Sequence, residues 1–283
     1  MKPGPLDLRV ADDVLRAAVR EDLGSGDVTT RSTVPRDATA VGRYTAKQEL
    51  VVAGLAVAAH LLEIVDPALS YRRLVEDGDA VTRGTAIAEV RGSAASILTG
   101  ERVTLNILQR MCGIATTTRE YVQRLAGTKA KVVDTRKTVP GLRLLDKYAV
   151  ACGGGSNHRM GLFDAVLIKN NHLVFHDSIA SAVRSVRDHA GRGFRIEVEV
   201  AGPEAVDEAI EAGADAILLD NFTLEQTRDA VRRCRGRVPL ESSGGITLET
   251  IRDYAEAGVD IISVGALTHS PPAADIHLRV IPD

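Results

Sequence analysis

The sequence predicts an α/β protein in which an α+β region precedes a run of βα units of barrel type. Three observations carry that prediction. From about Lys131 onward, short Val/Ile/Leu runs alternate with amphipathic helices, and strands apolar on both faces imply a parallel sheet covered on both sides. Glu211-Ala-Gly-Ala-Asp-Ala-Ile-Leu-Leu-Asp220 is echoed by Glu256-Ala-Gly-Val-Asp-Ile-Ile-Ser-Val-Gly265, each a helix end, a glycine and a buried strand. A repeated βα unit without a reversal signal favours a barrel over a doubly wound sheet. Upstream, strand-like runs cluster instead of alternating, which is α+β in character.

Taken in order, Asp7 reads as the N-cap of a helix whose apolar face is Val10, Val14, Ala18 and Leu23, stopped by Gly24 to Gly26. Val41–Val52 reads as strand and Leu55–Val65 as an apolar helix ended near Pro67. Tyr71–Val75 and Ala86–Val90 read as strands around the turn Glu76-Asp-Gly-Asp79. Ser96–Met111 reads as a long helix. The later strands are Lys131–Asp134, Ala165–Lys169, Arg195–Val200, Ala216–Asp220, Val238–Ser242 and Asp260–Gly265. Thr223-Leu-Glu-Gln226 has the form of a capping box.

Composition excludes several classes. With 45% apolar and 26% charged residues in 283, the chain is an ordinary globular one. No apolar run approaches the roughly 20 residues that span a bilayer, so no membrane role is expected. A net charge of −3, no Trp and 3% aromatic residues argue against a nucleic-acid partner. The N-terminus lacks a secretory pattern, and three widely spaced cysteines fit a reducing cytoplasm.

Barrels of βα units gather their chemistry at the C-terminal ends of the strands. Those ends read Asp134-Thr135-Arg136-Lys137, Lys169-Asn170, Glu197 and Glu199, Asp220-Asn221, Glu241-Ser-Ser243-Gly244-Gly245, and Val264-Gly265-Ala266. Glu197 and Glu199 alternate with valines and so share one strand face, where an unused charge is costly. Arg136, Lys137, Arg159 and Lys169, with His158, converge as a cationic set and point to a polyanionic substrate. The glycines after the last two strands suit phosphate. Glu199 and Asp220 are placed to hold Mg²⁺, accept sugar hydroxyls or stabilise a cationic transition state. No P-loop or dinucleotide fingerprint occurs, so neither fold is supported.

These motifs resemble the quinolinate phosphoribosyltransferase family over nearly the whole chain. The resemblance rests on Glu21-Asp-Leu-Gly-Ser-Gly-Asp-Val-Thr-Thr30, Gly100-Glu-Arg-Val-Thr-Leu-Asn106, Asp134-Thr-Arg-Lys-Thr138, Gly153-Gly-Gly-Ser-Asn-His-Arg159, Leu219-Asp-Asn221, Glu241-Ser-Ser-Gly-Gly245 and Val264-Gly-Ala-Leu-Thr-His269. Asn170 stands where the family usually has an acid, and Cys112 where Ser is common.

The resemblance implies an incomplete, open α/β barrel with an N-terminal α+β sandwich domain. The expected division is 1–112 for the sandwich and 113–269 for the barrel, with 270–283 packing back on the first. It implies phosphoribosyl transfer to quinolinate with decarboxylation, with Mg²⁺ accompanying the phosphoribosyl pyrophosphate and no organic cofactor. Lys137, Lys169, Glu199 and Asp220 would be catalytic. Arg136, His158 and Arg159 would hold the quinolinate carboxylates, with Thr135 beside them. Glu199 and Asp220 would face ribose and Mg²⁺-pyrophosphate. Ser243, Gly244, Gly245, Val264, Gly265 and Ala266 would cradle the 5′-phosphate. The resemblance also implies a head-to-tail homodimer in which Arg102 visits the partner's site. Three other readings compete: a paralogous phosphoribosyltransferase for another anionic base, a Schiff-base aldolase using Lys169, and a lipoyl-like carrier. The carrier has no attachment residue, since no lysine lies between Lys47 and Lys129.

Overall fold

The computed structural model describes residues 4, 6–190 and 193–283. They form two compact units. One takes in the chain through Arg119 with Thr138–Gly154 and Ala266–Asp283; the other is Glu120–Lys137 with Gly155–Gly265.

The first unit is built on an antiparallel sheet in the order Ile276–Pro282, Thr39–Ala46, Ala86–Ser93, Ser70–Arg73. Alternation along Thr39–Ala46 buries Ala40, Tyr44 and Ala46, and Leu55, Leu62, Ile97 and Leu108 pack with them in one core. On the same strand Arg43 lies opposite Glu89, which in turn lies opposite Arg72. Hydrogen bonds from Arg72 and Arg43 hold the Glu89 carboxyl down at about 2.

Leu55–Val65 is helical as expected, and the turn at Glu76–Asp79 carries Gly78 at a φ of 91°. Three expectations need correction. The run read as one strand, Val41–Val52, breaks after Ala46, and Leu50–Val51 pairs with Ala80–Val81 in a separate two-stranded sheet. Asp7 caps a short 3₁₀ turn, Leu8–Val10, and the helix proper is Asp12–Leu23. That turn shifts the register by one residue, so Ala11, Leu15 and Val19 are buried while Val10 is exposed. The long helix extends from Ala94 through Arg124, well past Met111. Gly113 interrupts its apolar pattern, because a Cβ there would collide with the Pro272 carbonyl. A buried ion pair braces this unit. Arg110 donates through Nε and Nη2 to the fully buried Asp146 at 2.9 and 2.8 Å, and Nη2 also meets the Thr268 carbonyl at 2.9 Å.

The second unit is an open α/β barrel. Its six strands run parallel in the order Lys131–Val133, Ile261–Ser263, Leu240–Ser243, Ala216–Asp220, Ile196–Val200, Val166–Ile168. Each lies within two residues of its expected place. Helices Ile179–Ala190, Glu204–Glu211, Leu224–Cys234 and Ile251–Ala257 connect them. The capping box at Thr223 and Gln226 is formed in both directions. Among the described residues no helix is long and apolar enough to cross a membrane.

Candidate active site

Parallel pairing sets the strand ends level: Asp220 lies opposite Ser243, Ser243 opposite Ser263, and Ser263 opposite Val133. Polar groups that end the strands therefore gather around one basin of about 550 Å³. Thr135, Arg136, Lys137, His158 and Arg159 line its cationic side, and Glu199 with its partner Lys169, Asp220 and the Ser243–Gly245 turn line the other.

Asp134 fixes the cationic side. It is fully buried at the end of the first strand, accepts from the His158 amide at 2.9 Å and from Asn157 Nδ2 at 2.6 Å, and so pins the glycine-rich loop. Thr135 Oγ1 accepts from the Lys137 amide at 3.0 Å. Arg159 donates from Nη1 to the Ala165 carbonyl at 3.1 Å. Burial, and then the nearby Arg136 guanidinium, push the Arg159 pKa down. Two like charges held this close favour an anion between them.

His158 is anchored through both ring nitrogens. Nδ1 accepts the Arg159 amide at 2.7 Å, which assigns the ring hydrogen to Nε2. Nε2 points at Glu197 Oε2, 3.1 Å away, with Glu241 Oε2 at 3.6 Å. The three residues offer ligand atoms within 4.8 Å of one another.

On the opposite side, Glu199 Oε2 accepts from Lys169 Nζ at 3.2 Å and Oε1 from the Asn170 amide at 3.2 Å. Asp220 Oδ1 accepts from Asn221 Nδ2 at 3.1 Å. Asn221 sits at a φ of 56°, and its amide donates to the Ser243 carbonyl at 2.8 Å. Gly244, at a φ of 101°, has no room for a side chain, since a Cβ would collide with Asn221 Oδ1. Asn221 thus joins the ends of two neighbouring strands in a left-handed conformation that few non-glycine residues adopt.

The remaining expected residues are not among those that line the basin, though three of them directly follow Ser263, which does. Val264 is buried, and its amide donates to the Val133 carbonyl at 3.0 Å, so that N–H is committed within the sheet. Gly265 follows it, and Ala266 opens the short helix Ala266–His269. Arg102 belongs to the first unit, exposed on the long helix. The sequence places Asp134, Glu197, Asn221 and Glu241 at the strand ends but gives them no role, and does not single out Asn157. The signal for Glu241 and Glu197 was a carboxylate inside an otherwise apolar strand.

Lys169 lines the basin, whereas Asn170 lines a neighbouring cleft with Asp177 and Gly202. Lys169→Ala is therefore expected to lower kcat/KM by about 10- to 100-fold, the worth of a charge-assisted contact. Asn170→Asp is expected to stay within about threefold of the parent, because its side chain does not face the basin. Steady-state kinetics on both variants checks this, and the reverse ranking would mean that the strand end is turned the other way.

Comparison with known proteins places the whole chain beside one family. Profiles described as "Quinolinate phosphoribosyl transferase, N-terminal domain" and "Quinolinate phosphoribosyl transferase, C-terminal domain" match residues 27–112 and 114–279. A nicotinate-nucleotide pyrophosphorylase [carboxylating] of Mycobacterium leprae is 46% identical over 274 residues, covering 95% of this chain and 96% of that one. A probable nicotinate-nucleotide pyrophosphorylase [carboxylating] of Bacillus subtilis is 43% identical over 260 residues, covering 92% and 90%. The crystal structure of NadC from Streptococcus pyogenes superposes with a TM-score of 0.95 at 39% identity, covering 99% of each chain.

Proposed function

This chain belongs to the quinolinate phosphoribosyltransferase family, and from that premise we propose how its residues share the work. The enzyme transfers the 5-phosphoribosyl group of phosphoribosyl pyrophosphate to the ring nitrogen of quinolinate. Decarboxylation follows, giving nicotinate mononucleotide, pyrophosphate and CO₂ for NAD biosynthesis. The observation that carries the site reading is the meeting of Arg136 and Arg159 with Glu199 and Asp220 around one basin.

Arg136 and Arg159 hold the two carboxylates of quinolinate, and the committed nitrogens of His158 make it a support for this pair. Lys169 and Lys137 face the phosphoribosyl and pyrophosphate groups. As pyrophosphate departs, C1 becomes oxocarbenium-like, and Glu199 and Asp220 stabilise that charge. The Ser243–Gly245 turn takes the 5′-phosphate, its glycines letting backbone N–H groups approach closely. With the ring nitrogen ribosylated, its positive charge stabilises the electron pair that CO₂ leaves on the adjacent C2, so no organic cofactor is required.

Mg²⁺ fits this donor set. Asp220 and Glu199, both lining the basin, would supply the one or two carboxylates that such an ion takes beside phosphate oxygens. When bound, it neutralises charge on the leaving pyrophosphate.

The active assembly is a homodimer in which Arg102 reaches the partner's site. Support comes from exposed apolar side chains on the second unit, Leu162, Phe163, Val174 and Phe175, which a second copy would cover. Residence in the cytoplasm is supported by three cysteines that are all free and buried.

The deciding assay mixes purified protein with quinolinate, phosphoribosyl pyrophosphate and Mg²⁺ and follows nicotinate mononucleotide; no product would overturn the reading. The shared site is tested by mixing Arg102→Ala with Lys137→Ala, each expected to be nearly inactive. Subunit exchange should restore about a quarter of parental activity, because about half of the dimers become heterodimers and each keeps one intact site of two. No recovery after proven exchange would return Arg102 to its own subunit or remove it from any site.

A further inference from the structure

Beneath the basin, the barrel interior holds a second, smaller cavity of about 140 Å³. His158, Glu197 and Glu241 line it, with Arg159 and Arg195, and both His158 and Glu241 also line the basin above. None of the assigned roles uses Glu241.

We propose that Glu241 stores a proton under the basin, and that this is the proton C2 of the pyridine ring takes when CO₂ leaves. The proposal rests on the family reading, since only a decarboxylation creates that demand.

The demand follows from electron counting. The C2–carboxylate bond breaks and its electron pair stays on C2, beside the pyridinium nitrogen. The product carries hydrogen at C2, so one proton enters for each CO₂ lost. The Glu241 O–H bond breaks and the C2–H bond forms, directly or through one bridging water. Solvent then returns a proton to the carboxylate before the next turnover, and the lower cavity has room for the water that carries it.

Geometry explains why Glu241 keeps a proton. Its side chain is 2% exposed, and Oε1 meets no hydrogen-bond donor among the described residues. Its facing groups are Glu197, His158 and Arg195, with Ser263 alongside. Glu197 approaches the same Nε2 and takes its hydrogen at the shorter distance, 3.1 Å against 3.6 Å. Two carboxylates and a single ring N–H cannot all be satisfied in a buried space, so one carboxylate does better neutral. Burial, and then repulsion from Glu197, raise Glu241 to about 7. The sign follows: the store is filled below that pH and empties as pH rises through it.

The test uses single turnovers with enzyme in excess, following pyrophosphate and nicotinate mononucleotide separately. Glu241→Gln keeps the shape and removes the transferable proton. It should release pyrophosphate within about threefold of the parent rate but form nicotinate mononucleotide at least about tenfold more slowly. In the parent, the nucleotide-forming step should slow as pH rises through about 7, whereas in Glu241→Gln it should be flat. Equal slowing of both products would reduce Glu241 to a structural role and overturn the proposal. So would an unchanged nucleotide rate, which would pass the donor role to Lys137 or Lys169. A parent enzyme that forms no nicotinate mononucleotide would overturn the family reading and this proposal together.

Discussion

Nicotinate, which lacks the carboxylate beside the ring nitrogen, is expected to show a kcat/KM at least about a thousandfold below that of quinolinate. Burial, and then the nearby Arg136 guanidinium, weaken the hold of Arg159 on its proton, and Arg159 is partly withdrawn from water. A dicarboxylate relieves that repulsion at both guanidiniums. A monocarboxylate leaves one of them desolvated and facing a like charge. A charge-assisted hydrogen bond that the smaller base fails to make is worth about 1.5–3 kcal/mol, and the unrelieved repulsion adds to it. A site built to pair a substrate's polar groups rejects an analogue lacking one far more strongly than an apolar pocket rejects a missing methylene. Initial-rate kinetics with each base at saturating phosphoribosyl pyrophosphate decides the matter. Comparable values for the two would mean that the guanidiniums do not hold a carboxylate each.

Arg110→Ala is expected to destabilise the first unit by about 3–5 kcal/mol, the typical cost of stranding one charge of a buried pair. Asp146 is fully buried, and Arg110 supplies two of its hydrogen bonds. The same guanidinium satisfies the Thr268 carbonyl, so the substitution unpins three segments at once. The fall in Tm should be about 2–4 °C per kcal/mol. Arg110→Leu combined with Asp146→Leu should lose less than Arg110→Ala alone, because no uncompensated charge remains. Thermal denaturation of the two variants at pH 7 reads both values, and a loss under about 1 kcal/mol for Arg110→Ala would show that water takes over the carboxylate.

The parallel sheet was legible because its strands are continuous apolar runs closed by polar residues, a pattern that survives without tertiary knowledge. Leu55–Val65 was legible for the same reason, with Gly54 and Pro67 as its limits. The second half of the long helix was not, since Gly113 and the β-branched run Thr116–Thr118 argue against helix locally. Only the close approach of the Pro272 carbonyl explains that glycine. The strand Ile276–Pro282 is defined by pairing with Thr39–Ala46, which no local window contains. At the site, cationic residues announced themselves by type and place. Glu241 did not, because its meaning depends on residues 158 and 197 meeting it in space. Asn221 was hidden as a positioning residue because only its φ and its fit against Gly244 distinguish it from an ordinary strand-end polar residue.

The pairing of Ile276–Pro282 with Thr39–Ala46 has a consequence for how this protein is made. Translation runs N- to C-terminally at about 5–20 residues per second, so roughly 10–50 s separate synthesis of the two partners. Once Ala86–Ser93 has been made, the strand Thr39–Ala46 has that one neighbour and offers its other edge to whatever passes until the chain ends. The second unit uses none of the residues after Gly265 and is complete in sequence before the first can close. The nascent chain therefore finishes its middle before its beginning, and the ribosome-bound intermediate carries a sticky open edge that a holding chaperone is suited to cover.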